Sequence, residues 1–480
     1  MMKEKAEHPP PVFSLLLDSE NSQAGIRPPQ NEMIITIIPI IRVRHTAVSG
    51  ARYTEKNEQG GWVMRILHTA DWHLGKTIEG RDRQIEQEQF IDEICTICDD
   101  EQVDVVLLAG DVFQTPNPSA AAEELFYDAL DRLACHGTRG IVVIAGNHDN
   151  PERLSAPSPL ADRLGITLIG LPKDELQPSV RTGTERVTRV QCGASWLELV
   201  VPGCDHSAVI AALPYPSEGR IRQLVAKSLH EEELQQGYNR LIGATMNNLA
   251  LHFRSDTVNI AMSHLFVTGG VESGHESENQ IQQVGGIYAV DAAAFPAHAQ
   301  YIALGHLHRP QNMTSVVPCR YAGSPLPYSF AEVGHAKSVT IVEALPGSGA
   351  AVREICLSAG KPLVKWQAQG LSQVYNWLDE GRDKNAWIDL EVSVTQSITN
   401  DEIHKLRDLH PGLVNIRLIA KNGGESIEER PQLSQLSSEE LFRRFFERQK
   451  GGLQPDDGLV KLFLELTEQT DQADKRGEHS

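Results

Sequence analysis

The stretch Ile66–Lys76 reads ILHTADWHLGK, an apolar run that closes on Asp71, Trp72 and His73. In an extended segment successive side chains point to opposite sides, so residues two apart face the same way. The Asp71 carboxylate and the His73 imidazole would then converge on one point just past a strand end. Such a pair can bind a metal ion. It can equally belong to a surface turn, and a single D-x-H does not decide between the two.

The rest of the chain repeats the device. Short apolar strands are expected at Arg65–His68, Val105–Leu108, Ile141–Ala145, Thr167–Ile169, Leu197–Val201, Val209–Leu213, Val258–Ser263 and Tyr301–Leu304. Helical patterns lie between several of them, at Asp82–Asp99, Ser119–Cys135, Pro151–Leu164 and Arg240–Phe253. Continuous apolar strands alternating with helices predict an α/β layered fold with buried sheets. Strands at Ser338–Glu343 and Val352–Leu357 finish this body. Around Gly347-Ser348-Gly349 and Lys361-Pro362 the texture loosens, and a smaller α+β unit follows: strand Ala386–Val394, helix Asn400–Leu409, strand Leu413–Ile419.

Five strand ends carry metal-capable residues. They are Asp71-x-His73, Gly110-Asp111, Gly146-Asn147-His148-Asp149, His264, and Gly305-His306-Leu307-His308. Ligand crevices of open α/β sheets lie at the C-terminal ends of strands, so five weak signals address one place. Asp, Asn and His offer hard oxygen and borderline nitrogen donors, suited to Mn(II), Fe(II) or Zn(II) rather than calcium. Seven donors are too many for one ion but fit two ions sharing a carboxylate. Such pairs serve in-line displacement at phosphorus, supplying a nucleophile and neutralising charge on the phosphate oxygens. The glycines at 110, 146 and 305 let the backbone turn so that each donor is aimed inward.

Composition narrows the classes. A chain of 480 residues allows two to four domains, and 40% hydrophobic with 22% charged residues is the balance of an ordinary globular protein. No run approaches the roughly 18 apolar residues of a membrane span; the longest, Met33–Ile41, is broken by Pro39. Seven cysteines form no disulfide framework, and Cys95-x-x-Cys98 reads as two small core residues of one helix, as in a reducing cytosol. A net charge of −20 argues against coating nucleic acid by bulk charge, yet leaves room for a nuclease whose bound cations supply positive charge locally. Residues 1–63 hold seven basic and seven acidic side chains, little periodicity and the run Pro9-Pro10-Pro11. Gly60-Gly61-Trp62 just before Met64 looks like a ribosome-binding site read as protein. Met64 is therefore the expected start, with residues 1–63 a translated leader or a disordered extension.

D-x-H, G-D, G-N-H-D, H and G-H-x-H, in this order, resemble the signature of the calcineurin-like metallophosphoesterases. The strings LHTADWHLGK, LLAGDVF, VIAGNHDNPERL, SHLFVTGG, ALGHLHRPQ and YAGSPLPYSFAE narrow the likeness to the SbcD family, nuclease subunits of bacterial SbcC–SbcD repair complexes, over Met64 to about Leu466. The resemblance implies a two-sheet metallophosphoesterase sandwich at 64–345, a small α+β capping domain at 346–420, a linker at 421–434, an SbcC-binding helix pair at 435–468 and a disordered tail at 469–480. It assigns a first metal, most simply Mn(II), to Asp71, His73, Asp111 and His308. A second falls to Asp111, Asn147, His264 and His306, with Asp111 bridging. His148 would meet the scissile phosphate and help the leaving oxygen, and Asp149 would orient His148. Gln114 departs from relatives that carry an acidic residue or His there.

The implied activity is 3'-to-5' double-strand exonuclease and single-strand endonuclease action on DNA ends, hairpins and single strands, in repair, recombination and replication. The implied setting is the cytoplasm, at the nucleoid when acting on DNA, as a homodimer within a heterotetramer. Helices Asp82–Asp99 and Ser119–Cys135 would form the dimer contact. ATP would bind SbcC, since this chain holds no G-x-x-x-x-G-K-[ST] loop. The rivals are a protein phosphatase or a small-nucleotide phosphodiesterase of the same superfamily, and an inactive scaffold. Gly110-Asp111-Val112-Phe113-Gln114 departs from the G-D-x-x-D-R-G of phosphoprotein phosphatases. At the C-terminus, Ser437-x-x-Glu440 is a capping box that opens a helix with Leu441, Phe442, Phe445 and Phe446 on one stripe. A second helix shows Leu459, Leu462, Phe463 and Leu466 at helical spacing. These faces dock on the partner or pack back on their own domain.

Overall fold

The computed structural model describes residues 62–180, 183–216, 231–273, 289–394 and 399–420, together with parts of 439–464. Two large sheets form the main body. The first has the order β13-β12-β1-β2-β3-β4, with β1 Met64–Thr69, β2 Val105–Ala109, β3 Gly140–Ile144, β4 Ile166–Ile169, β12 Ser338–Ala344 and β13 Ala351–Cys356. β1 to β4 run parallel, and β12 returns antiparallel to β1. The second has the order β10-β11-β9-β8-β7-β6-β5, with β5 Thr188–Gly193, β6 Trp196–Val200, β7 Ser207–Leu213, β8 Val258–His264, β9 Tyr301–Gly305, β10 Gln311–Met313 and β11 Cys319–Tyr321.

The inner faces meet through Ile66, Val105, Leu107, Val142 and Ile144 of the first sheet and Leu197, Ile210, Val258, Ile260 and Met262 of the second. Outside the first sheet lie α1 (Gln84–Asp100) and α2 (Ala120–Ala134), which bury Phe90, Ile91, Ile94, Leu125, Phe126, Ala129 and Leu130. The Ser119 hydroxyl caps α2 by accepting from Ala122 N, 3.2 Å away. Each fully buried Ile, Leu or Phe contributes roughly 1.5–3 kcal/mol. An exposed ion pair such as Arg132–Asp128 contributes at most about 1 kcal/mol. The layers are therefore held by their apolar faces. This is the α/β layered sandwich expected from the alternation of strands and helices.

Three local expectations are corrected. The pattern Pro151–Leu164 is not one helix but α3 (Pro151–Ser155), α4 (Ser158–Ala161) and a short 3-10 turn. Pro157 and Pro159 lack the N–H that a continuing helix needs. The helix expected from Arg240 begins earlier, as α5 (Glu231–Leu249), and lays Tyr238, Ile242 and Met246 on the outer face of the second sheet. The glycines at 347 and 349 mark no domain boundary: they form a hairpin turn, because β13 pairs with β12 over Ser338↔Cys356 to Glu343↔Ala351. The first sheet thus extends past residue 345.

A three-stranded parallel sheet follows, with order β14-β15-β16: β14 Leu363–Ala368, β15 Trp387–Val394, β16 Leu413–Ala420. With α6 (Leu371–Asp379) and α7 (Asn400–Leu409) it has its own core of Trp366, Val374, Ile388, Leu390 and Leu406. Thr399 and Glu402 form a capping box on α7. Further on, Phe442 stacks on Phe463 at 4.2 Å, so the two C-terminal apolar stripes meet each other there. Phe445, Leu462 and Leu466 lie outside the described residues, as do the expected extension up to residue 61, the linker 421–434 and the tail 469–480. No helix among the described residues is long and apolar enough to cross a membrane.

Candidate metal centre

β1, β2, β3, β8 and β9 all deliver their C-terminal ends to one point. Nε2 of His73 lies 3.6 Å from Asp111 Oδ2, and Nε2 of His264 lies 3.5 Å from that same oxygen. His73 Nε2 also stands 3.0 Å from His308 Nε2. The Asn147 side-chain oxygen is 2.9 Å from His264 Nε2 and 3.1 Å from His306 Nδ1. Asp71 accepts from the backbone N–H of His306 at 3.0 Å. All seven residues singled out from the sequence therefore share one cluster, with Asp111 Oδ2 between two groups of donors. Six of them are almost fully enclosed, Asp111 among them at 2% exposure, whereas Asn147 and the neighbouring His148 are half-buried and mark the open side.

The backbone route differs from the expected one. β1 stops at Thr69, and Asp71 and His73 have φ of 54° and 46°, not extended values. The loop is instead tied to its neighbour by Asp71 N to Gly110 O, His73 N to Asp111 O and Leu74 N to Val112 O. Asp111 (φ 50°) and His306 (φ 110°) are left-handed as well. Four non-glycine residues in this region of backbone space, each at a cost of order 1–3 kcal/mol, mark a site that the surrounding fold holds in place. Of the three glycines, only Gly110 needs a positive φ. Gly305 is needed for closeness: an added Cβ would lie 1.8 Å from Ala109 O.

A model of the calcineurin-like phosphoesterase family matches residues 64–310. The chain belongs to that family, in its SbcD branch. Three relatives are described as the SbcD component of the nuclease SbcCD. The one from Bacillus subtilis (strain 168) is 48% identical over 415 residues, covering 86% of this chain and 100% of its own. That from Rhodobacter capsulatus is 35% identical, over 64% of this chain and 72% of its own. That from Escherichia coli (strain K12) is 30% identical, over 79% and 92% respectively. A second family model, described as a type 5 capsule protein repressor C-terminal domain, matches residues 360–450.

Calcineurin-like phosphoesterases act through divalent metals, and the donors here suit them. Two imidazole nitrogens facing at 3.0 Å repel unless one is protonated or a cation lies between them. The His264 Nδ1 lies 2.8 Å from Ala109 O, and a carbonyl only accepts, so Nδ1 carries the hydrogen and Nε2 is left as the donor to a metal. Burial pushes the Asp71 carboxyl up to about 6 against the pull of His264 and His308. Burial alone would push the His264 ring down, but the charge and hydrogen bond of Asp111 outweigh it and hold the ring at about 9. The Asp111 carboxyl sits well below its usual range, because His264 outweighs its burial. Without metal, the proton held on His264 offsets the charge of Asp111.

The expected hold of Asp149 on His148 is not a direct hydrogen bond between its carboxylate and the ring. The carboxylate accepts from Val112 N at 3.1 Å, Phe113 N at 2.9 Å and Gly146 N at 2.8 Å, and so ties the β2 and β3 loops together. The His148 ring is held by Gln114 O, 2.9 Å from Nδ1, and His148 N donates to Asp111 Oδ1. The Gln114 contact is backbone, so the departure in side chain there leaves the bond intact. One ring nitrogen of His148 lies within 4.8 Å of donor atoms of His73 and Asp111.

Sequence reading missed Tyr328, Glu332 and Lys337. Lys337 Nζ donates to His308 O at 2.8 Å, to Ser324 Oγ at 2.8 Å and to Glu332, whose other oxygen lies 3.8 Å from His308 Nδ1. Tyr328 donates its hydroxyl to Trp72 O. The string YAGSPLPYSFAE contained two of the three, but no spacing rule ties a residue after β11 to a histidine after β9. The remaining histidine near a strand end, His68, is buried and bonds Tyr301 Oη at 2.9 Å, as a core residue. Trp72 and Phe113 are buried core residues too.

Proposed function

We propose that this chain is the nuclease subunit of an SbcC–SbcD-type complex and hydrolyses phosphodiester bonds of DNA at a dinuclear centre. The meeting of seven donors from five strand ends around Asp111 Oδ2 carries the reading. The ligand sets are Asp71, His73, Asp111 and His308 for one ion and Asp111, Asn147, His264 and His306 for the other. Mn(II) fits the mixture of oxygen and imidazole donors. Two such ions supply a nucleophile at neutral pH and screen the charge gathering on the phosphate. His148 stands on the open side with Nδ1–H fixed on Gln114 O, so Nε2 is the nitrogen that exchanges a proton with the leaving oxygen. Asp149 keeps His148 and Asn147 in register with Asp111 by holding both loops.

The three-stranded unit acts as a cap, and the C-terminal helices grip the ATPase partner SbcC. α1 and α2, where Ile85 is 71% and Tyr127 41% exposed, form a homodimer contact within a heterotetramer. The chain works in the cytoplasm, at the nucleoid. Hydrolysis by the Mn(II)-loaded protein is to be measured on duplex DNA ends, on bis-p-nitrophenyl phosphate and on a phosphopeptide. Cleavage of both diesters with none of the phosphopeptide is the expected result. Hydrolysis of the monoester alone would replace this reading with a phosphatase. Co-purification with SbcC, with and without residues 435–480, tests the partner contact.

A further inference from the structure

We infer that the buried Arg83–Glu86 pair couples the three-stranded unit to one ion site, that of Asp71, His73 and His308, and not to the other. The inference rests on the two-ion reading above. Glu86 is 4% exposed and Arg83 1%, at the start of α1. Each carboxylate oxygen of Glu86 accepts one bond from either side. Oε1 takes Arg83 Nε at 3.0 Å and Trp387 Nε1 at 2.7 Å; Oε2 takes Arg83 Nη2 at 2.7 Å and Lys361 N at 2.7 Å. Trp387 opens β15 and Lys361 precedes β14, so half of these bonds come from the three-stranded unit. The Lys361 ammonium also sits 4.3 Å over the Trp387 ring.

The pair then reaches inward. Arg83 Nη1 donates to Pro327 O, and its guanidinium lies 5.7 Å from the centre of the Tyr328 ring. Tyr328 donates to Trp72 O, between Asp71 and His73, and its ring stands edge-on to His73 at 5.6 Å and to His308 at 6.0 Å. Its backbone N–H donates to Glu332 Oε1 at 3.0 Å, and Glu332 and Lys337 brace His308. The chain of links ends on the first ligand set, at His73 and His308. In the second set, the ring nitrogen of His264 is anchored on Ala109 O, with no contact to this chain of groups.

A buried ion pair is a poor stabiliser compared with apolar residues of the same volume, because desolvation offsets its attraction. Packing alone gives no reason to place Arg and Glu here. Four directional bonds on one carboxylate do give a reason: they fix the angle at which the unit meets α1, and through Pro327 and Tyr328 the position of His73 and His308. A partner that tilts the unit would then alter the grip on one ion first.

Calorimetric titration of the metal-free full chain with Mn(II) tests this. The wild type is expected to take up two ions. Trp387→Phe, which keeps a ring and loses the indole N–H, should still take up two, with one affinity lowered roughly tenfold, as for lost support of a metal ligand, and the other changed less than about twofold. Tyr328→Phe should reproduce this, and carries the test if Trp387→Phe does not fold. Trp377→Phe serves as the control. Its ring touches Trp366 and Arg382 inside the unit, and it should change neither affinity. In an Asn147→Ala background the loss should persist; in a His73→Ala background it should vanish. Unchanged affinities, equal weakening of both ions, or the same effect from Trp377→Phe would overturn the coupling. A wild type that binds fewer than two ions would overturn the two-ion reading, and the coupling with it.

Discussion

The ring of His148 is held by the backbone oxygen of Gln114, 2.9 Å from its Nδ1. A main-chain carbonyl cannot donate, so this bond fixes the tautomer and leaves Nε2 to gain or lose a proton. His148→Ala should lower kcat by about 10²–10⁴, the range for a lost general acid, while metal analysis still finds two ions per chain. Loss of both ions in that variant would make His148 a ligand instead. Asp111→Ala should abolish hydrolysis and also deplete the metal, since its Oδ2 faces both donor groups.

Asp149 carries a different expectation, because its partners are three backbone amides of two loops. Asp149→Ala leaves these amides buried without an acceptor, at about 1–3 kcal/mol for each one not rescued by water. A fall in Tm of the metal-free protein together with a fall in kcat is the expected pair of changes. An unchanged Tm with lost activity would point to direct contact with substrate instead. Asp149→Asn keeps one acceptor oxygen and should recover part of the Tm.

The donors were legible in the sequence because each follows an apolar strand; the parallel strands within each sheet end on the same side, and the two sheets bring their sets of ends to one point. The premise of strand alternation at Asp71 and His73 failed even so. Both residues are left-handed, and they converge because their loop runs along the Gly110–Val112 loop. That pairing is tertiary and has no local signal. The same holds for Lys337 and Glu332 under His308, and for Trp387 on Glu86, which are far apart along the chain. β10 and β11 were missed because each is three residues long, too short for alternation to register. The turn at Gly347–Gly349 was misread because glycine marks a hairpin and a linker alike.

Gly305 makes a prediction about closeness. An alanine Cβ at this position would meet Ala109 O at 1.8 Å and His264 Nδ1 at 2.8 Å, so β9 must move away from β2. Gly305→Ala should cost about 1–3 kcal/mol of stability and weaken metal binding, since His306 and His264 shift together. Equal Tm and metal content in the variant and the wild type would show that the strand ends have room to spare.

His68 predicts a pH dependence of folding that is independent of metal. Burial between the sheets, aided by the charge of Arg320, pushes its ring down to about 3. Unfolded, the ring would titrate near 6.5. The unfolded state therefore binds a proton that the folded state refuses between these two values. Stability is full above about 6.5 and is lost as pH falls towards about 3, at up to about 1.4 kcal/mol per pH unit. Denaturant melts of His68→Gln should show a shallower loss across this window than the wild type. Parallel slopes would mean that another group governs acid unfolding.

Metal uptake itself should release a proton. At pH 7.5 the His264 ring, held at about 9 by Asp111, is protonated in the metal-free protein. To ligate through Nε2 it must give up that proton, while Nδ1 keeps its own on Ala109 O. Mn(II) titrations in buffers of different ionisation enthalpy should therefore give a slope of about one proton released on filling the site that contains His264. Above pH 9 the slope should fall towards zero, because the proton has already left. Below pH 9 the apparent affinity of that site should drop up to tenfold per pH unit. A slope near zero at pH 7.5 would show that His264 is already neutral before the ion arrives.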